Sequence, residues 1–84
     1  MSEITVYSTF WCCDCRRAKQ FLRERGIRFR EVNIDESPEA EQIVLKANKG
    51  KRVIPTIEVE GRLFSLSPFD PNKLAEELKI PLNR

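Results

Sequence analysis

The spacing of apolar residues switches between a period of two and a period of three to four along the chain, and the switches predict its elements. In EITVYST, Ile4, Val6 and Ser8 alternate with Thr5 and Tyr7, β-branched and aromatic residues suited to a pleated strand. From Cys15 the apolar residues Ala18, Phe21 and Leu22 recur at threes and fours, which predicts a helix. Gly26 ends it, because glycine takes the left-handed cap without strain. IRFREVNI reads as a second strand with Phe29, Val32 and Ile34 apolar and a broken alternation at Arg30 and Glu31. Ser37-Pro38-Glu39 supplies a capping hydroxyl, a proline at the first helical position and an acid in the first turn. Ala40, Ile43, Val44 and Ala47 then share one face until Asn48-Lys49-Gly50 closes that helix. RVIPTIEVEG predicts a third strand interrupted by Pro55, whose missing N–H requires a free ladder position. A turn at Gly61 joins it to a short fourth strand in RLFSL. Asp70-Pro71 starts a last helix with Leu74, Ala75 and Leu78, and Pro81 ends it.

The predicted order is β-α-β-α-β-β-α. A strand, helix and strand within about thirty residues imply a parallel pair with a right-handed crossover, and the later hairpin adds antiparallel strands. The expected fold is therefore α/β, a mixed four-stranded sheet with helices on both faces. No repeat, low-complexity tract or linker divides the chain, so residues 1–84 are expected to form a single domain with a small core.

Composition narrows the classes. With 40% apolar and 33% charged residues the chain reads as a globule rather than a disordered segment. No apolar run could cross a bilayer, and MSEITVY shows no basic start before an apolar stretch, so a cytoplasmic protein without membrane partners is expected. The net charge of +2 does not by itself call for a polyanion. The charges are segregated, however. Arg16, Arg17, Lys19, Arg23, Arg25, Arg28 and Arg30 face only Glu24 in their segment, and Glu31, Asp35, Glu36, Glu39 and Glu41 follow without a base. Without an aromatic stacking platform, this basic stripe predicts no nucleic-acid partner. It reads as a solvated helix face or as a docking surface for an acidic protein.

The chemistry concentrates in TFWCCDCRRAK, which holds all three cysteines: Cys12, Cys13 and Cys15. A disulfide staple is excluded, because thiols in one turn close no sizeable loop. A closed zinc site wants four ligands in separated pairs, whereas the chain has no histidine. No resident metal is therefore expected, although a metal or iron–sulfur-cluster-binding module using Cys12, Cys13 and Cys15 stands as the alternative. Redox chemistry suits the placement better. Cys12 follows a strand and precedes a helix, where unpaired N–H groups and the helix dipole favour an anion and hence the attacking thiolate. Cys15 lies one helical turn on, within reach of the Cys12 sulfur, so a first thiol can attack a disulfide and a second release it. Arg16 and Arg17 add positive charge nearby, and Asp14 opposes it. A Cys12–Cys13 disulfide would be strained, leaving Cys13 as a surface residue, a second resolving thiol or a metal ligand.

VYSTFWCCDC, with RVIPTI about forty residues later, resembles the thioredoxin superfamily and most closely the small glutaredoxin-like proteins. The resemblance spans nearly the whole chain and implies a thioredoxin-like fold of glutaredoxin type. It implies Cys12 as nucleophile, Trp11 beside it, and a cis-proline at Pro55 facing the cysteines. The Ile54 backbone would pair with the cysteinyl part of a bound thiol or peptide. Glutathione enzymes of the family carry a Cys-Pro-Tyr-Cys-like motif, often a lysine shortly before it, and a double glycine before the last helix; here the motif is Cys12-Cys13-Asp14-Cys15, Thr9 and Phe10 stand where the lysine would be, and FSLSPFD has no glycine. NKGKRVIPTIEVEGRLFSLSPFDPNKLAEEL is similar to mycoredoxins, which use mycothiol, and SPFDPNKL to redoxins that serve ribonucleotide reductase and draw electrons from thioredoxin reductase. The expected function is a thiol–disulfide oxidoreductase acting on protein disulfides or mixed disulfides with a small thiol. The chain has no dinucleotide-binding fingerprint. No cofactor is expected beyond glutathione or mycothiol as co-substrate, with electrons from a separate reductase or thiol pool, and the protein is expected to be a monomer.

Overall fold

The computed structural model describes residues 4–66 and 70–78. Its elements are β1 (Ile4–Ser8), α1 (Cys13–Glu24), β2 (Arg30–Asn33), α2 (Pro38–Ala47), β3 (Thr56–Val59), β4 (Arg62–Ser65) and α3 (Pro71–Leu78). Pro81 lies outside the described residues. The sheet order is β2-β1-β3-β4. β1 and β2 are parallel, joined through α1, while β3 runs antiparallel to both β1 and β4. This is the expected thioredoxin-like architecture.

The strand alternation assigns the two faces. Ile4 and Val6 of β1 and Ile57 and Val59 of β3 are buried with Ala18, Phe21 and Leu22 of α1 and Leu74 and Ala75 of α3. On the opposite face, Tyr7 meets Ala40 and Val44 of α2 together with Ile34 and Ile54, and Cys12 and Cys15 join this second cluster. Helices thus cover both faces, because each side of β1 presents apolar residues that water would otherwise meet.

The chain ends its helices where local chemistry allows. After α1, Gly26 has φ of +68°; its N–H donates to Arg23 O at 3.0 Å, and that of Ile27 to Leu22 O at 3.0 Å. These two bonds are the Schellman pairing that satisfies terminal carbonyls. Ser37 Oγ accepts from the Ala40 N–H at 3.3 Å, capping α2 as expected. Between β3 and β4, Glu60 and Gly61 have φ of +53° and +79°, both positive as a two-residue type I′ turn demands.

Two strands are shorter than their sequence pattern. β2 keeps only Arg30–Asn33: Ile27 and Phe29 pack against the first core cluster outside the ladder. β3 begins at Thr56, so Pro55 precedes the strand rather than interrupting it. Its carbonyl still accepts the Leu66 N–H at 2.9 Å. Proline can serve as ladder acceptor here but has no N–H to serve as donor.

Candidate active site

Cys12 is the N-cap of α1. Its backbone is extended, with φ of −85° and ψ of 114°, and its side chain accepts from the Cys15 N–H at an N–Sγ distance of 3.1 Å. N-caps are ordinarily Ser, Thr, Asp or Asn, whose oxygen satisfies an orphan N–H of the first turn. Here sulfur occupies that place, so Sγ sits at the positive end of the helix dipole. Cys12 is 8% exposed, and its S–H faces the Ile54 carbonyl oxygen 4.0 Å away, a long contact that holds the sulfur only weakly.

Cys15 lies deeper. It is fully buried, and burial pushes its thiol well above its ordinary value. The hydrogen bond with Cys12 and the charge on that neighbour act in the same direction, while the Thr9 backbone and Lys19 act against them. Cys13 is exposed on the outer face of the helix. All three are free thiols, and among the described residues no three His, Cys, Asp or Glu side chains converge as metal ligands.

In front of Cys12 lies an open cavity of about 400 Å³, lined by Trp11, Cys12, Cys13, Asp14, Arg52, Val53 and Ile54. Trp11 is 65% exposed and its Nε1 donates to Asp35 Oδ2 at 3.3 Å. Arg52 pairs with the same Asp35 and, through Nε, with Glu41 Oε2 at 2.8 Å. Asp35 thereby ties the tryptophan to the opposite wall. The Ile54–Pro55 peptide is cis. The Thr56 hydroxyl donates to Val53 O at 2.7 Å and accepts from Asn48 Nδ2 at 3.2 Å, which anchors this loop to the end of α2.

Of the residues expected from the sequence, Trp11, Cys12 and Ile54 share the cavity and Cys15 lies behind Cys12. Pro55 is buried and is not among the lining residues; the group presented to the thiol is the Ile54 carbonyl. Asp35, Glu41 and Arg52 were not anticipated. Their pairing joins three separate segments of the chain, and no local spacing signals it.

The glutaredoxin family model matches residues 4–64. The glutaredoxin-like protein NrdH of Lactococcus lactis subsp. cremoris is 40% identical over 73 residues, covering 87% of this chain and 96% of its own. Mycoredoxin 1 of Corynebacterium glutamicum is 29% identical over 76 residues, covering 90% of this chain and 94% of its own. Among solved structures, the glutaredoxin-like NrdH-redoxin of Escherichia coli matches with a TM-score of 0.73 at 27% identity, over 88% of this chain and 92% of that one. With the sheet order, the capping cysteine and the cis peptide at Pro55, these matches place the chain in the glutaredoxin family.

Proposed function

We propose that the protein reduces disulfides of other proteins, or mixed disulfides with a small thiol, through Cys12 and Cys15. The observation that carries this reading is the asymmetry of the two thiols: Cys12 accepts the first-turn N–H at the cavity edge, and Cys15 is sealed behind it. The Cys12 thiolate attacks one sulfur of the substrate disulfide. The old S–S bond breaks, a mixed disulfide forms at Cys12, and the departing thiolate takes up a proton. Cys15 then loses its proton and attacks the Cys12 sulfur, releasing the second substrate thiolate and leaving a Cys12–Cys15 disulfide. Two electrons have passed to the substrate, and an external dithiol or reductase restores them.

The order of events follows from what holds Cys15 protonated. Two of the influences that push its thiol up, the hydrogen bond and the charge of Cys12, weaken once the Cys12 sulfur is bound in a mixed disulfide. Cys15 therefore ionises more readily after capture than before it, when the mixed disulfide at Cys12 is there for it to attack.

The resemblance to the Escherichia coli NrdH-redoxin, characterised by a thioredoxin-like activity profile, favours protein disulfides as substrates. In this reading Trp11 and the Ile54 carbonyl flank the bound sulfur, no resident cofactor takes part, and a monomer works in the cytoplasm.

Cys12→Ser is expected to abolish exchange, and Cys15→Ser to retain the first attack and accumulate mixed disulfide. Intact-mass measurement of the Cys13→Ser/Cys15→Ser protein recovered from cells identifies what Cys12 captures. Protein adducts support the reading favoured here, and a small-thiol adduct names the reductant. Full activity of Cys12→Ser would overturn the assignment.

A further inference from the structure

The solvent face of α1 begins at the reactive turn and carries Cys13, Arg16, Arg17, Gln20, Arg23 and Glu24, all exposed. Arg16 and Arg17 stand three and four residues after Cys13, the spacing that makes helical side chains surface neighbours. The structure gives Lys19, Arg52 and Arg62 carboxylate partners. Among the described residues, Arg16 and Arg17 have no such partner. Arg23 lies with its guanidinium 5.5 Å from the Phe29 ring centroid, and among the described residues it too has no carboxylate partner. Glu24 is already engaged by Gln20 Nε2 at 3.0 Å. Across the reactive turn the sign reverses, because Asp35 and Glu41 outnumber the one cation, Arg52, that they share. Between the two regions stand Phe10 and Trp11, 72% and 65% exposed, aromatic surface of the kind that anchors protein contacts.

We propose, on the basis of the exchange chemistry above, that Arg16, Arg17 and Arg23 dock an acidic segment of the protein whose disulfide Cys12 attacks. Charge complementarity selects this occupant and also its direction, since an acidic stretch laid the other way would meet Asp35 and Glu41. The helix rises about 1.5 Å per residue, so Arg16 lies roughly 5 Å and Arg23 roughly 15 Å beyond Cys13 along its axis. An extended partner advances about 3.3 Å per residue, which places the matching acids about two to five positions from the attacked cysteine. The interaction acts through solvent-exposed charges, so it accelerates encounter and fades with salt.

The test uses two peptides with one cysteine each, activated as the 2-thiopyridyl disulfide and identical except for Glu or Gln at those positions. Release of pyridine-2-thione reports attack by the reduced full-length protein. The Glu peptide is expected to react roughly tenfold faster at low ionic strength, with the ratio approaching one at about 0.5 M salt. Arg16→Gln/Arg17→Gln/Arg23→Gln should bring the ratio near one. Lys46→Gln/Lys49→Gln, in the last turn of α2 and just beyond its end, should leave it high. Because each ratio is read on one protein, any change in the reactivity of the thiol itself cancels. A ratio near one for the unaltered protein, or a ratio that survives the triple substitution, would overturn the docking surface while leaving the exchange chemistry intact. No release from either peptide would overturn the exchange chemistry and the docking with it.

Discussion

Cys12 and Cys15 are the same amino acid three positions apart, and their surroundings set them apart. Sulfur at an N-cap gains a backbone donor at the cavity edge, whereas Cys15 one turn later has no exposed surface. The raised thiol of Cys15 links its chemistry to stability. Its folded form holds the proton more tightly than the unfolded chain does. The contribution is therefore fully present below the ordinary value of 9.0 and is lost as pH rises beyond it. Thermal unfolding of the reduced protein at pH about 7 and about 10, compared with Cys15→Ala, should show a steeper alkaline loss in the unaltered protein. Equal losses would contradict it. Cys13, exposed on the helix, should tolerate serine with little change in exchange rate.

The helices owe their boundaries to a few residues that the sequence displays openly. The Ser37 cap of α2 is one hydroxyl accepting one N–H, and its loss in Ser37→Ala should cost about 1 kcal/mol, measured as a lower urea midpoint with unchanged slope. That helix also supplies Asn48, whose side chain donates to Val44 O at 2.8 Å and to the Thr56 hydroxyl beside the cis peptide. Destabilising α2 should therefore loosen the wall opposite Cys12 as well as the fold. Strand limits were harder to read. Val53 and Ile54 continue the apolar run of β3, yet they belong to the loop that faces the thiol, because Pro55 prevents the ladder from extending through them. At Ile27 and Phe29 the pattern identified burial correctly but assigned it to a strand, since apolar residues pack against the core with or without ladder bonds.

Across the molecule, Leu22 and Val6 are fully buried between the sheet and the α1/α3 layer. Leu22→Ala removes side-chain volume from the middle of that layer and should cost about 3 kcal/mol. That is a large share of the roughly 5–15 kcal/mol available to a domain of ordinary stability. Denaturant unfolding followed by fluorescence provides the measurement, and a loss under about 1 kcal/mol would mean that the core refills the space.

The order of elements, the cap at Ser37, the turn at Gly61 and the placement of Cys12 between a strand and a helix were all readable along the chain. Each depends on residues within a few positions of one another, where periodicity and backbone geometry act directly. The exposed position of Trp11, the junction of Asp35 with Arg52 and Glu41, and the burial that separates Cys15 from Cys12 were decided by tertiary structure. Those features arise where β1, α2 and the loop before β3 meet, and an ion pair or a desolvated sulfur there depends on which distant segment folding brings alongside.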